Sequence, residues 1–344
     1  MKENHSNAKS QQDIISRWLY KEKVYTSILC TAFNQEEYIE SAIVGFLEQE
    51  TDYRFEIIIH DDCSNDNTKA ILKSFKSKYP DIIKLILQEE NQYSINAHRP
   101  FSNLLNNASG DFVALCEGDD YWVSKNKLDV QIKLMIERQD VDISFHPCYH
   151  LYPDTTYEIK NTYSSQLTLV SCNQVIKNGG SFIPTASIMF RKSKLNLPAW
   201  FYEAPVGDYY IQVLCASPNG ALFIPDIFSC YRYTSIGSWS EKTKTLYDSK
   251  LVVSKAKKYC DSLNALNKHL EYNFSSEINY YKVKEVIHCA FIAFSNNDYS
   301  TCKKILRSVD FLKIRSVKGM LFYLSNINIG TYRLAKFVFR LFRV

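Results

Sequence analysis

No two of the ten cysteines form a Cys-x-x-Cys pair, so nothing indicates a zinc cluster or a thioredoxin-like redox site. No Gly-x-Gly-x-x-Gly occurs, and no phosphate-binding loop with its lysine; a ligand carrying phosphates would need some other neutralising group. No apolar run approaches the length that spans a bilayer. The segment Met1–Gln12 is polar and lacks the apolar stretch of a signal peptide. Cys30, Cys116, Cys215 and Cys289 sit inside apolar runs, where free thiols act as small hydrophobes and suit a reducing compartment. A cytoplasmic protein is expected. Repeats and low-complexity linkers are absent as well, and a net charge of +4 is too mild to imply nucleic acid as a partner.

What is present is an ordinary globular composition, 46% hydrophobic and 23% charged over 344 residues, with 24 Tyr and 20 Phe. That length accommodates one large α/β domain with an appendage. Short apolar runs alternate with amphipathic segments of helical length. Val24–Thr31 reads as a first strand and Glu36–Gln49 as a helix. Phe55–His60, with three consecutive isoleucines, fits a central parallel strand covered on both faces. Asn67–Tyr79 is a helix that Pro80 stops; Ile82–Leu87 is a strand, Arg99–Asn107 a helix, Phe112–Cys116 a strand and Lys125–Arg138 a helix. The alternation argues for a doubly wound α/β sheet. From Ile143 to Tyr233 short strands mix with turns and one helix around Tyr209–Ala216, and from about Leu246 the pattern is helical, with a hairpin of Glu285–Phe294 and Thr301–Val309.

In open α/β sheets ligands bind beyond the carboxyl ends of the strands. Here strand one ends in Thr31-Ala32-Phe33-Asn34, strand two in Asp61-Asp62-Cys63-Ser64, and strand four in Glu117-Gly118-Asp119-Asp120. Carboxylates from two strand ends would therefore share one rim. Two ionised carboxylates about 5 Å apart repel by roughly 3 kcal/mol at an effective dielectric near 20. A divalent cation relieves that repulsion, and hard carboxylate oxygens suit magnesium or manganese, which also bridge phosphates. Either acidic pair alone reads equally as a surface turn or helix cap; together, at the ends of apolar strands, they point to a metal-bound phosphate ligand.

The ordered set Cys30-Thr-Ala-Phe-Asn34, Ile57-Ile-Ile-His-Asp-Asp-Cys-Ser-Asn-Asp66 and Leu115-Cys-Glu-Gly-Asp-Asp-Tyr-Trp122 resembles the three signatures of family-2 glycosyltransferases of the bacterial cell-surface glycan type. The resemblance spans about Val24 to Trp239. It implies a GT-A fold (Rossmann-like, nucleotide-diphospho-sugar transferase) with a C-terminal helical extension, a UDP-sugar donor, and Mn2+ or Mg2+. Carried over, Thr31, Phe33, Asn34 and Glu36 belong to the nucleotide-sugar site, Asp62 reaches the base, and Asp61 supports its loop. Glu117, Asp119 and Asp120 take the place of the family's Asp-x-Asp metal and pyrophosphate motif, with Glu departing from the family's first Asp. The resemblance further implies an inverting transfer with an Asp base opening a helix in the second half. Asp208 in Pro205-Val-Gly-Asp-Tyr-Tyr-Ile211 fits it, and also fits a helix N-cap. Arg232 and Trp239, in Tyr231-Arg-Tyr-Thr-Ser-Ile-Gly-Ser-Trp-Ser240, match a loop that closes over the donor phosphates.

Ser181–Arg191 is expected as a strand on the acceptor side, and His60, His98, His146 and His150 as structural histidines. The expected domains are a polar lead at 1–22, a transferase domain at 23–242 (nucleotide half 23–122, acceptor half 123–242) and a helical region at 243–344. After Asp310 no acid remains, while Lys313, Arg315, Lys318, Arg333, Lys336, Arg340 and Arg343 interleave with aromatics. Gly319–Val344 thus reads either as an interfacial helix on the inner face of an anionic membrane, near a glycan or lipid-linked acceptor, or as a helix packed on its own domain. Two other functions share the fold class. One is a non-catalytic sugar-nucleotide or glycan-binding subunit. The other is a nucleotidyltransferase, which usually has a Gly-rich basic loop after strand one; Thr31–Glu37 has neither Gly nor Lys.

Overall fold

The structure is a computed structural model that describes residues 9–233 and 247–308, with residue 323. Trp239 and the Gly319–Val344 tail, apart from Tyr323, lie outside the described residues. The described chain divides into two compact units: 9–175, 180–198 and 208–233 in one, and 176–179, 199–207 and 247–308 in the other.

The first unit opens with α1 (Gln11–Arg17), then runs β1 (Thr26–Ala32), α2 (Ile39–Leu47), β2 (Phe55–Asp61), α3 (Thr68–Lys78) and β3 (Ile83–Leu87). The short α4 (Gln92–Ile95) and α5 (Arg99–Asn107) lead to β4 (Phe112–Leu115), β5 (Tyr121–Trp122) and α6 (Lys127–Glu137). Short strands follow: β6 (Ile143–Phe145), β7 (Cys148–Leu151), β8 (Tyr157–Lys160) and β9 (Thr168–Val170). After α7 (Cys172–Asn178), which crosses the division between the units, come β10 (Met189–Arg191), α8 (Asp208–Ala216), β11 (Ala221–Phe223) and β12 (Ser229–Arg232).

Eight strands form one sheet in the order β3-β2-β1-β4-β10-β6-β11-β9, and β5-β12-β7-β8 form a second. The first four are parallel. Every residue of β2 is buried, as its isoleucine run requires between two parallel neighbours. The expectation of a doubly wound sheet holds for this half alone. Beyond it β10 runs antiparallel to both β4 and β6, so the sheet is mixed. The expected strand Ser181–Arg191 is in fact short turns followed by the three residues of β10. Pro184, with no N–H to donate, precedes the turn at Thr185–Ser187. Met189 and Phe190 are fully buried inside the sheet.

The parallel half packs α2, α3 and α6 against Ile28, Cys30, Ile57 and Ile59 from the sheet. Where α2 meets β5 the approach is too close for a side chain: a Cβ on Gly45 would lie 2.9 Å from the Trp122 carbonyl oxygen. In the second unit, α9 (Ser249–His269), α10 (Ser275–Ser295) and α11 (Tyr299–Leu306) pack on one another around Leu263, Leu266, Cys289 and Ala293. Asp248 caps α9 through the Lys250 N–H, and Asp298 caps α11 through the Thr301 N–H. The expected hairpin of helices is there, with its first arm longer than the sequence pattern indicated. Among the described residues no helix is long and apolar enough to cross a membrane.

Candidate active site

Because β2, β1 and β4 are adjacent and parallel, their carboxyl ends bring the three polar segments to one edge. The loop after β1 is laced to the loop after β2. The Asn34 N–H donates to Ser64 Oγ (2.9 Å), the Asn65 N–H to Asn34 Oδ1 (2.8 Å), and the Gln35 N–H to Thr68 Oγ1 (2.8 Å). Asn34 adopts a left-handed backbone, φ 52°, a conformation Asn tolerates better than most residues. Glu36 Oε2 accepts from the Asn67 N–H and side-chain amide, so this carboxylate holds the start of α3. Thr31 and Phe33 are half-buried at the same strand end.

The paired aspartates divide their work. Both oxygens of buried Asp62 are engaged by backbone, accepting from the N–H groups of Gln92 (2.7 Å) and Tyr93 (3.0 Å). Asp61 accepts the Ser64 N–H through Oδ2, while its Oδ1 is buried with no hydrogen-bond partner among the described residues. Asp62 thus fastens α4 to the end of β2, and Asp61 is the one with an oxygen to spare.

At the end of β4, the Gly118 N–H donates to the Thr31 carbonyl (2.9 Å). A Cβ on Gly118 would lie 2.3 Å from Gln35 Oε1 and 3.1 Å from that carbonyl, which is why glycine stands between the acids. Glu117 and Asp208 retain exposed surface, yet burial by surrounding protein pushes both carboxyls above their ordinary range. Desolvation disfavours the charged form of each, although both keep contact with solvent. Asp119 and Asp208 raise Glu117 further, and His98 partly offsets the shift at Asp208. Asp208, the first residue of α8, thus acts electrostatically on the acidic motif through Glu117. Asp120 is fully enclosed. Its Oδ1 accepts the Arg232 N–H (2.9 Å), its Oδ2 has no partner among the described residues, and burial with Asp119 and Glu117 holds it well above the usual carboxylate range.

Arg232 does not present an open fork. Only 7% exposed, its guanidinium lies over the rings of Tyr121 (4.4 Å) and Tyr38 (5.2 Å) and donates to the Asp119 carbonyl (2.6 Å). It braces the acidic turn from behind. His60 and His146 are buried and held below their ordinary range by desolvation, as structural histidines are. His98 and Tyr93, which the motifs do not indicate, interact electrostatically with Asp208.

Among the described residues no three His, Cys, Asp or Glu side chains converge as a preformed metal cage. Magnesium-type sites seldom need one; they combine one or two carboxylates with water and substrate phosphates. The unpartnered Asp120 Oδ2 and the repulsion that Asp119 and Asp208 exert on Glu117 are what a cation would relieve, so the residues fit one.

Residues 27–197 match the family model described as Glycosyl transferase family 2. The chain belongs to that family. An uncharacterized protein of Mycobacterium tuberculosis is 33% identical over 215 residues, 62% of this chain and 60% of the relative. The chain thus spans about three fifths of that relative's length. The Escherichia coli UDP-Glc:alpha-D-GlcNAc-diphosphoundecaprenol beta-1,3-glucosyltransferase is 29% identical over 60% of this chain and 76% of its own length. Among solved structures, Staphylococcus aureus TarS (1–349) in complex with UDP-GlcNAc superposes with a TM-score of 0.56 at 15% identity, covering 92% of each chain. The fold is GT-A-like, an α/β domain with a mixed central sheet and C-terminal helices.

Proposed function

We propose that this member of the family transfers a sugar from a nucleotide diphosphate donor, a UDP-sugar, to an acceptor hydroxyl in cell-surface glycan synthesis, with inversion by direct displacement. Residues 23–242 would form the catalytic domain and 243–344 a helical extension. One observation supports the mechanism: the Asp208 carboxylate, at the start of α8, lies close enough to Glu117 to raise its carboxyl. The acceptor oxygen forms its bond to the anomeric carbon as the carbon–oxygen bond to the diphosphate breaks. Asp208 takes the acceptor's proton, and its raised affinity for a proton suits a base. Such a base contributes about a hundred- to ten-thousand-fold.

On the donor side, Thr31, Phe33 and the loop held by Asn34 and Glu36 would border the nucleoside. Asp61, fully buried, would support the loop behind the base by accepting the Ser64 N–H, and Asp62 positions the α4 wall. Glu117 and Asp119 would hold Mn2+ or Mg2+, with Asp120 Oδ2 behind them. When bound, the cation neutralises the leaving diphosphate. Arg232 keeps the turn carrying Asp119 in place, and Trp239 would face the donor. A lipid-linked sugar such as the one named for the E. coli relative is the acceptor class we favour, met at the membrane surface through Gly319–Val344. Liposome co-sedimentation unchanged by deleting that tail would refute the membrane contact.

The test is donor binding and hydrolysis over a panel of nucleotide sugars, with manganese, with magnesium and with chelator. Metal-dependent hydrolysis of one donor supports the reading. Binding without hydrolysis would leave a sugar-nucleotide-binding subunit, and absence of both would reject it.

A further inference from the structure

Given the transfer reading above, on which this rests, we propose that Gln212 is a positioning residue. Through the segment 180–187 it sets how far Asp208 stands from the acidic turn at 117–120.

Every residue of α8 after Asp208 is buried. Burial alone resists sliding or rotation of a helix weakly, because apolar attraction has no direction; a hydrogen bond has one. Gln212, with no solvent exposure, supplies two. Its Nε2 donates to the carbonyls of Gly180 (2.9 Å) and Ile183 (3.0 Å). Carbonyls only accept, so the amide nitrogen has to face them and the orientation of the side chain is set. Gln212 lies four residues after Asp208 on the same face of the helix, and a helical side chain leans toward the N-terminus. The two bonds therefore hold the first turn of α8, the one that begins with Asp208.

The segment that receives these bonds is itself tied to the acidic turn. Ser187 donates to the Pro184 carbonyl through both its N–H (3.0 Å) and its Oγ (2.6 Å), and the proline ring fixes its own φ, so 184–187 is a stiff turn. Trp122 Nε1 donates to the Ala186 carbonyl (3.1 Å) and Gln131 Nε2 to the Ser187 carbonyl (3.0 Å). Trp122 stands two residues after Asp120 and is only 4% exposed. The path from the acids to Asp208 thus runs through Trp122, Ala186, Ile183 and Gln212, with a buried hydrogen bond at each crossing between segments. In a direct displacement the base and the leaving group stand on opposite sides of the anomeric carbon. Their separation decides the alignment, and a shift of about 1 Å costs on the order of a hundredfold.

The experiment is a double-mutant cycle of wild type, Gln212→Met, Asp208→Asn and the double variant. Each is measured for UDP binding and for kcat and KM of hydrolysis of the preferred nucleotide sugar in saturating manganese, with a thermal melt. Gln212→Met keeps the length of the side chain and removes both donors. It should lower kcat by about tenfold to a hundredfold, with KM and UDP affinity within about twofold of wild type. Added to Asp208→Asn, it should cost less than about threefold more, since the base it aligns is already gone. Gln212→Glu, whose carboxyl is kept protonated by burial and still gives one of the two bonds, should lose less, and it carries the cycle if Gln212→Met does not fold. Unchanged kcat would overturn the proposal. The same fall in both backgrounds, or an equal weakening of UDP binding, would also overturn it and make Gln212 a structural residue only. If wild type neither binds UDP nor hydrolyses a nucleotide sugar, or if Asp208→Asn is as active as wild type, the transfer reading itself falls and this inference with it.

Discussion

Lys127 has no solvent exposure at all, and replacing it should stabilise the protein. Its ammonium group donates to Gln131 Oε1 and lies 4.5 Å from the centre of the Trp122 ring. No carboxylate forms an ion pair with it within 4.0 Å among the described residues. Burial lowers its pKa from 10.5 to about 7. A folded state that binds the proton less tightly than the unfolded chain loses stability as pH falls from 10.5 to about 7. At 1.36 kcal/mol per pH unit, that interval is worth about 5 kcal/mol. Roughly 4 kcal/mol of the penalty is present at pH 7 and about 2 at pH 9. Lys127→Met removes it and keeps the volume, but leaves Gln131 Oε1 without its donor, a loss of about 1–3 kcal/mol. The net expectation is a gain of about 2 kcal/mol at pH 7 that shrinks to near zero at pH 9. Urea unfolding of the two proteins at both pH values measures it. A variant less stable than wild type at pH 7, or an equal difference at both pH values, would refute the argument.

Two further predictions concern the frame of the site. Gly118→Ala forces a Cβ toward Gln35 Oε1 and, at 2.8 Å, toward fully buried Ile39 Cδ1. It should lose about 1–3 kcal/mol and raise the manganese concentration needed for half-maximal hydrolysis; thermal melts and a metal titration check the pair. Glu56 is buried, which alone would raise its carboxyl. Lys84 (2.5 Å), Ser109 Oγ (2.6 Å) and Ser27 Oγ (2.6 Å) outweigh burial and hold it below its ordinary value. Its contribution is therefore complete above about pH 4.5 and is lost as pH falls through the lower folded value. Glu56→Gln should cost about 1–3 kcal/mol at pH 7, with the gap to wild type closing in acid denaturation below pH 4.

The parallel half of the fold was legible because each strand is a local apolar run and each helix a local periodic one. Arg99–Asn107 was readable to the residue. The antiparallel insertion of β10 was not, since its three residues pair with partners far away in sequence, at β4 and β6. Residue type brought Asp61, Asp62, Glu117, Asp119 and Asp208 onto the list of candidates, but not what each oxygen touches. Two adjacent aspartates look alike in a sequence; only the path of the chain through Gln92 and Tyr93 shows that Asp62 is occupied and Asp61 Oδ1 is not. Arg232 reads as a phosphate fork until its guanidinium is seen over the rings of Tyr38 and Tyr121.

The most direct test of the central claim is Asp208→Asn, measured for UDP binding and for transfer or hydrolysis of the preferred donor in saturating manganese. The amide keeps the shape of the side chain and cannot take a proton. UDP affinity should stay within about twofold of wild type while turnover falls by about a hundred- to ten-thousand-fold. Turnover within a few-fold of wild type would contradict it, because the cleft would then hold its donor without needing Asp208 as the base.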